Sequence, residues 1–126
     1  MTRQDETQAM LPLHPRDFLI LYVLVDGELH GYGMVKAIEE ESEGSVRMDP
    51  ANLYRSLRRL ERDGLVEEVE EAGSGRRGSV EEGERRRYYA LTKLGRAVVA
   101  AEAARVSRLV RGARAKKLIA ASEAGR

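Results

Sequence analysis

The sequence of 126 residues predicts a mainly α-helical domain with a minor β component, a winged helix-turn-helix followed by a long C-terminal dimerisation helix. Two observations support this prediction. Three short helical patterns precede two strand patterns around a glycine-rich loop, which is the order of a helix-turn-helix with a β-hairpin wing. A further helical pattern then begins at Thr92 and continues beyond the length that a compact small domain requires.

Residues 1–12 are polar, lack a regular period and end at Pro12, so we expect a flexible N-terminal tail. The first helix is predicted to begin at Pro15, because the fixed φ of proline suits a first helical position, and to end before Gly27. Apolar residues cover most of its sides, which indicates burial against two neighbours. The second helix is predicted over residues 30–42, with an apolar face and a glutamate-rich face.

The third helix is marked by signals at both ends. Asp49 is a favourable N-cap residue, Pro50 suits the first turn, and Gly64 marks the end of the helix. Three leucines between them recur at helical spacing and predict a buried face: Leu53, Leu57 and Leu60. The segment before this helix, residues 46–48, is a candidate for a short strand.

Two further strands are predicted over residues 65–70 and 86–91, and the loop between them contains four of the twelve glycines. Thr92 then caps a last helix that we expect to continue to about Ser122. These boundaries divide the chain into a flexible tail over 1–12, a winged helix-turn-helix domain over 13–91 and a dimerisation helix over 92–126.

The composition argues against several classes of protein. The longest apolar run has eight residues, whereas a spanning helix needs about 20, and no secretory leader precedes it, so we expect a cytoplasmic protein with no membrane contact. The chain has no cysteine and two histidines, so we expect neither a disulfide nor a metal site nor another cofactor.

Two patterns that resemble active-site motifs have simpler interpretations. Residues 73–78 match the nucleotide-binding pattern G-x-G-x-x-G, but no long helix follows and no acidic residue lies about 20 residues further on, so we interpret them as a wing tip. The glutamate runs lie on polar faces with no apolar pocket that would raise a carboxyl pKa. We therefore predict that the protein is not an enzyme.

Charge is distributed unevenly along the chain, although the net charge is +1. Residues 1–46 carry three basic and nine acidic side chains, a net charge of −6, and residues 92–126 carry nine and two, a net charge of +7. Such asymmetry favours a nucleic-acid partner, an assembly through unlike surfaces, or both.

The third helix has a polar face that suits DNA. Asn52, Arg55, Ser56 and Arg59 align at helical spacing opposite the leucines, with Tyr54, Arg58 and Arg62 beside them. Arginine recognises guanine through two hydrogen bonds, asparagine recognises adenine, and serine and tyrosine contact phosphates. No acidic residue lies between Pro50 and Leu60, which favours DNA, while the alternative is the solvated face of an amphipathic helix. The wing adds Arg76, Arg77 and Arg85, together with several glutamates.

The last helix carries apolar residues at mixed spacings of three and four, which is typical of a helix that packs along another helix. We expect six of them to contact a second chain: Leu94, Val98, Ala101, Val106, Leu109 and Ala113. In such a dimer the basic last helix would cross the acidic N-terminal part of its partner. The alternative is a helix that packs only on its own domain.

Three motifs follow one another along the chain. They are Leu-His-Gly-Tyr-Gly at residues 29–33, Asn-Leu-Tyr at 52–54 with Leu-x-x-Leu-Glu-x-x-Gly-Leu at 57–65, and Arg-Arg-Arg-Tyr-Tyr-x-Leu-Thr-x-x-Gly-Arg at 85–96. Together they resemble the PadR family of bacterial transcriptional regulators over about residues 13–110. The short C-terminal part is similar to the subfamily with a single C-terminal helix.

The resemblance implies a cytoplasmic homodimer, usually a repressor, in which the first helix, here with Phe18 and Tyr22, contributes to the dimer interface beside the last helix. It also implies DNA recognition by the third helix and the wing. Tyr32 and Lys36 on the second helix join Asn52 and Tyr54 as family positions. The alternative for Tyr32, Tyr88 and Tyr89 is a core or orienting role. The family often has threonine where Asn52 stands and proline where Arg55 stands, so we expect different base contacts.

These inferences predict a sequence-specific regulator that binds double-stranded DNA as a homodimer on a pseudo-palindromic operator, with a small-molecule effector as a possible further partner. Its two third helices would enter successive major grooves about one helical turn apart. The alternative is a protein-interaction adaptor that uses the winged-helix domain and the basic C-terminal helix without specific DNA binding.

Overall fold

The computed structural model describes residues 2–70 and 87–120. The helices in these ranges are α1 (Arg3–Ala9), α2 (Pro15–Val23), α3 (Gly31–Glu41), α4 (Pro50–Arg62) and α5 (Lys93–Ala115), and the strands are β1 (Leu29–His30), β2 (Val66–Val69) and β3 (Tyr88–Leu91). The helices predicted as first, second, third and last are α2, α3, α4 and α5. This arrangement confirms the mainly helical winged helix-turn-helix fold.

The small sheet contains a strand that the sequence analysis missed. β3 lies in the centre of an antiparallel sheet of order β1-β3-β2, with Val66 opposite Leu91 on one side and Leu29 opposite Tyr89 on the other. β1 has two residues, which is too short for a period to be visible in the sequence.

The strand predicted over residues 46–48 is wrong, because this segment satisfies its backbone through a side chain. The Ser42 hydroxyl accepts a hydrogen bond from the Val46 backbone N–H at 3.0 Å and lies 3.3 Å from the Val46 carbonyl. The segment is therefore an irregular connection that leads into α4, with Met48 buried in the core.

The core forms where α2, α3, α4, the sheet and α5 meet. The three leucines predicted to form the buried face of α4 are at most 1% exposed. Their neighbours are mostly aliphatic and also fully buried: Ile20, Leu21, Leu24, Met34, Ile38, Leu65, Val66 and Val98. Because this core fixes one side of α4, it determines which residues of the helix face solvent.

The segment predicted to be a flexible tail, residues 1–12, contains helix α1 instead. Its N-terminus is a reciprocal capping box, in which the Thr2 hydroxyl accepts from the Asp5 N–H at 3.0 Å and the Asp5 carboxylate accepts from the Thr2 N–H at 3.3 Å. α1 packs along α5 and buries Thr7. The prediction failed because α1 has no apolar stripe of its own and is held by its packing on α5.

Helix α5 ends earlier than predicted, at Ala115 and not near Ser122. Its 23 residues span about 35 Å. Lys117 adopts a positive φ of 65°, and the Leu118 N–H donates to the Ala113 carbonyl at 2.9 Å, which closes the helix in a Schellman motif.

A buried carboxylate joins α5 to the segment between α1 and α2. Glu102 is 2% exposed and accepts two hydrogen bonds from the Arg105 guanidinium, both at 2.8 Å. It also accepts one from the Leu13 backbone N–H at 3.2 Å. The hydrogen bonds from Arg105 lower the pKa of Glu102 below its ordinary value against the opposing effect of burial, and Leu13 contributes in the same direction.

We expect Glu102→Gln to lower the free energy of unfolding by about 1–2 kcal/mol at neutral pH. Because folding lowers the pKa of this carboxyl, its contribution to stability is complete above the unfolded pKa and is lost as the pH falls through the folded value. The difference between wild type and variant should therefore shrink in acid. Urea unfolding at neutral pH and near pH 3 would measure it, with the exposed Glu40→Gln on α3 as the control, and an equal difference at both values would contradict this account.

Candidate nucleic-acid interface

The solvent side of α4 is formed by arginines. Arg55, Arg58 and Arg62 are exposed and lie at steps of three and four, which places them on one side of the helix. Asn52 and Ser56, which were predicted to share this face, are half-buried at its edge. The exposed face is therefore more purely basic than the sequence spacing suggested.

Arg59 is held against α2. Its guanidinium donates to the two carboxylate oxygens of Asp17 at 2.9 and 3.2 Å. The side chain of Asp17 is 11% exposed and that of Arg59 is 44% exposed. The hydrogen bond with Asp17 raises the pKa of the Arg59 guanidinium above its ordinary value. Arg59 therefore fixes α4 on α2 and has less freedom to contact DNA than the sequence prediction assumed.

We expect Arg59→Ala to lower the free energy of unfolding by about 1–3 kcal/mol, because it leaves the Asp17 carboxylate buried without its partner. The exposed Arg58→Ala on the same helix should change it by less than about 0.5 kcal/mol. Equilibrium urea unfolding of the two variants beside wild type measures both effects. Equal stability of the two variants would show that the ion pair does not hold α4.

The N-terminus of α4 carries a chain of hydrogen bonds. One carboxylate oxygen of Asp49 accepts from the Asn52 backbone N–H at 2.9 Å, which caps the helix. The other accepts from the Asn52 side-chain Nδ2 at 2.9 Å. The Asn52 Oδ1 in turn accepts from Nη2 of Arg55. Three side chains on the first turns of α4 thus form one connected group.

Tyr54 lies between α3 and α4 and is half-buried against the core. Its hydroxyl oxygen occupies the space beside Gly31, where an added Cβ would come within 2.3 Å of it. A side chain at position 31 would therefore require the Tyr54 ring to shift. This packing gives Tyr54 a structural role, and its predicted contact with DNA stays a prediction.

A group of aromatic rings and a lysine lies where the start of α3 meets the sheet. The exposed ring of Tyr32 lies parallel to the His30 ring, with centroids 6.3 Å apart. The His30 and Tyr88 rings are nearly perpendicular, with centroids 5.3 Å apart. Nζ of Lys36 lies 5.9 Å from the centroid of Tyr32. Tyr32 and Lys36 are therefore both accessible at the surface, as a contact with DNA would require.

The tyrosines for which a core role was the alternative divide between two environments. Tyr89 is 4% exposed and belongs to the core, and burial raises the pKa of its hydroxyl. Tyr32 is 70% exposed and is not a core residue. The core interpretation therefore applies to Tyr89 alone of these two residues.

The predicted wing arginines Arg76, Arg77 and Arg85 lie outside the described residues. Of the adjoining segment, Arg87 is exposed before β3 and lies 3.7 Å from the Glu68 carboxylate across the hairpin. This contact places a positive side chain at the base of the wing.

The junction between α4, the sheet and α5 is closed by the motif at residues 92–95. The Thr92 hydroxyl donates to the Gly64 carbonyl at 2.5 Å and accepts from the Gly95 N–H at 2.9 Å. The Thr92 N–H donates to the Leu65 carbonyl at 3.1 Å. An added Cβ on Gly95 would lie 2.0 Å from the Leu65 carbonyl oxygen. The motif therefore sets how α5 is placed relative to the end of α4.

The residues predicted for dimerisation differ in accessibility. Val98 is fully buried in its own core, so the prediction that it contacts a partner is wrong, and Leu94 also packs against that core. Val106 and Leu109 are 37% and 61% exposed, and Ala101 and Ala113 are half-buried.

On α2, the predicted interface residues Phe18 and Tyr22 stack with ring centroids 5.7 Å apart, and Tyr22 is 44% exposed. The sequence spacing identified an apolar side of each helix, but only the packing distinguishes core residues from accessible ones.

Two other kinds of site are absent from the part of the chain that the structure describes. Within residues 2–70 and 87–120, no three acidic or histidine side chains lie close enough together to hold a metal ion. In the same ranges, no helix has both the length and the apolar character needed to span a membrane.

Comparison with known proteins identifies relatives of this fold. The sequence model of the PadR-like family of transcriptional regulators matches residues 20–101. An uncharacterized 37.1 kDa protein in transposon TN4556 of Streptomyces fradiae is 40% identical over 91 residues, which cover 72% of this chain and 23% of that protein. The chain thus spans about a quarter of the length of that relative.

Solved structures share the fold at lower identity. PadR of Bacillus subtilis in complex with operator DNA has a TM-score of 0.57 and 21% identity, over 71% of this chain and 45% of that one. A PadR family transcriptional regulator from Eggerthella lenta has a TM-score of 0.60 and 23% identity, over 94% and 88% of the two chains.

Proposed function

Since this chain belongs to the PadR-like family of transcriptional regulators, we propose that it binds DNA sequence-specifically as a homodimer on a pseudo-palindromic operator. Members of this family are regulators and not enzymes. The observation that carries the proposal is the exposed basic face of α4, formed by Arg55, Arg58 and Arg62. In a helix-turn-helix protein the corresponding helix enters the major groove with its N-terminal residues against the bases.

The parts of the proposed interface have different tasks. Arg55 lies nearest the start of α4 and contacts base edges, while Arg58 and Arg62 contact phosphates. Tyr32 and Lys36 add contacts from α3, and the wing adds Arg76, Arg77 and Arg85. The fold similarity to Bacillus subtilis PadR, whose structure contains operator DNA, supports this assignment.

The homodimer is supported by the course of α5. Its buried face, which includes Val98 and Glu102, continues in register to Val106, Leu109 and Ala113, where its own domain no longer covers it. An uncovered apolar surface of this kind marks an interface, and a second α5 supplies a matching one. The acidic α1 packs on α5 of the same chain, so charge pairing between the two ends does not require a partner.

In this proposal the dimer acts as a repressor, since occupation of an operator blocks access to a promoter.

An effector binds the groove between α1 and α5 of each chain. The groove is open to solvent and has a volume of about 350 Å³, and Leu11, Pro12, Ala101 and Arg108 are among its lining residues. This volume lies within the range of small-molecule sites. A small-molecule panel that raises the melting temperature and lowers DNA affinity would support an effector role, and compounds that do neither would argue against it.

DNA binding is tested by selecting bound duplexes from a random pool and measuring affinity for the selected sequence. We expect Arg55→Ala combined with Arg58→Ala to weaken binding about 100-fold or more. The dimer would lose two base contacts of Arg55, each worth roughly 1–3 kcal/mol, and two phosphate contacts of Arg58 as well. Binding should also fall steeply with salt. Arg3→Ala combined with Arg111→Ala removes the same charge from α1 and α5 and serves as the control.

If the α4 variant lost no more DNA affinity than the control, the result would contradict the proposal that the basic face of α4 contacts DNA. If the wild-type protein enriches no duplex at physiological salt, the adaptor that docks its basic last helix on an acidic protein becomes the better explanation.

A further inference from the structure

The hydrogen-bonded group of Asp49, Asn52 and Arg55 at the start of α4 indicates that Asn52 and Arg55 have different roles in DNA recognition, although the sequence predicted base contacts for both. Asn52 was predicted to recognise adenine, which requires its Oδ1 to accept from the base and its Nδ2 to donate to it. In the structure Nδ2 donates to Asp49 and Oδ1 accepts from Arg55. Each end of the amide thus has one partner within the protein, and one N–H donor and one lone pair of the oxygen remain.

The burial of Asn52 points in the same direction. Asn52 is half-buried at the edge of the helix, whereas Arg55 is exposed on the side opposite the leucines. Asn52 is therefore in a position to orient the Arg55 guanidinium through its Oδ1.

Arg55 retains the donors that guanine recognition needs. Its bond to Asn52 uses one of the five N–H donors of the guanidinium, and a guanine edge requires two. Arg59, the other arginine predicted to contact bases, is held by two hydrogen bonds to Asp17. Arg55 is therefore the arginine that is both near the start of α4 and oriented by a polar neighbour.

We propose that Arg55 determines the sequence preference of α4 and that Asn52 and Asp49 are positioning residues which hold its guanidinium towards the major groove. This inference rests on the proposed DNA-binding function. An arginine that is already oriented loses less conformational entropy on binding. More of the binding free energy of its contact with guanine is therefore retained.

The test compares base preferences at each operator position for four proteins. Wild type should require a G·C pair at one position in each half-site, and Arg55→Ala should lose that preference by about 10- to 100-fold. Asn52→Ala should weaken the preference at the same position by about 3- to 10-fold and leave the other positions unchanged. Asp49→Ser keeps a hydroxyl that can cap the helix but lacks the second oxygen, which accepts from Asn52 Nδ2. We therefore expect it to weaken the base preference at the same operator position while the helix stays capped.

A folding defect would lower the affinity for all sequences equally, whereas a misplaced Arg55 guanidinium would change the preference at one base pair. The base preferences therefore distinguish a folding defect from a loss of positioning. Loss of a different, A·T preference in Asn52→Ala would show that Asn52 contacts adenine itself and would overturn the inference alone. An unchanged motif in Arg55→Ala would also overturn it. Failure of the wild-type protein to enrich any duplex would overturn the proposed function together with this inference.

Discussion

Replacement of Gly95 by alanine is expected to lower the free energy of unfolding by about 3 kcal/mol, at the upper end of overpacking effects. The added Cβ would lie 2.0 Å from the Leu65 carbonyl oxygen and 2.9 Å from its carbon, which are backbone atoms that cannot turn away as a side chain can. To accept the methyl group, α5 would have to move off the end of α4, and the hydrogen bonds of Thr92 to Gly64 and Leu65 would be strained.

Gly112→Ala in the same helix is the matched control. Among the described residues, no atom apart from the adjoining backbone of α5 lies within 4 Å of a Cβ added there. Alanine is also the better helix former, so we expect a gain of about 0.5–1 kcal/mol. Urea unfolding followed by circular dichroism measures both variants. Stability of Gly95→Ala equal to wild type would show that α5 does not lie against Leu65 as closely as described.

Replacement of Leu109 by glutamate is expected to abolish the homodimer and to weaken operator binding by 100-fold or more, because linked half-sites lose roughly 10²- to 10⁴-fold in affinity when they are separated. Leu109 is 61% exposed in the single chain, so the substitution costs the monomer little. In a dimer it would bury an unpaired charge at the proposed contact of the two α5 helices, which is strongly unfavourable.

The control for this variant is Ser107→Glu, which introduces the same charge on an exposed side of α5 away from Leu109. Light scattering coupled to gel filtration gives the mass of each protein. We expect a dimer for wild type and Ser107→Glu and a monomer for Leu109→Glu. A monomeric wild-type protein that binds the selected operator with full affinity would contradict the dimer proposal.

Local signals in the sequence were sufficient for the elements that hold α4. Asp49, Gly64 and Thr92 each act within a few residues of the chain, and the structure shows each as the cap or end expected from its residue type. The leucine spacing likewise predicted the buried face of α4. By contrast, β1 and α1 depend on partners distant in sequence, β3 and α5, and neither has a period of its own.

The candidate site was predicted in outline, and its internal arrangement was not. Exposed arginines follow from the position of the leucines, but the bond of Arg59 to Asp17 joins residues 42 positions apart and depends on how α2 crosses α4. The group formed by Asp49, Asn52 and Arg55 had a signal in its spacing of three, since residues at that separation face each other on a helix. The accessibility of Leu109 could be known only once α5 was placed on its own domain.

Chemical protection of guanine N7 in a selected operator tests most directly whether α4 recognises bases in the major groove. For the wild-type protein we expect one protected guanine in each half-site, the two about one helical turn apart, because two copies of α4 enter successive major grooves. Protection should disappear with Arg55→Ala. Tight binding of the wild-type protein with every guanine N7 still reactive would contradict the account, since it would show that Arg55 contacts no guanine in the major groove.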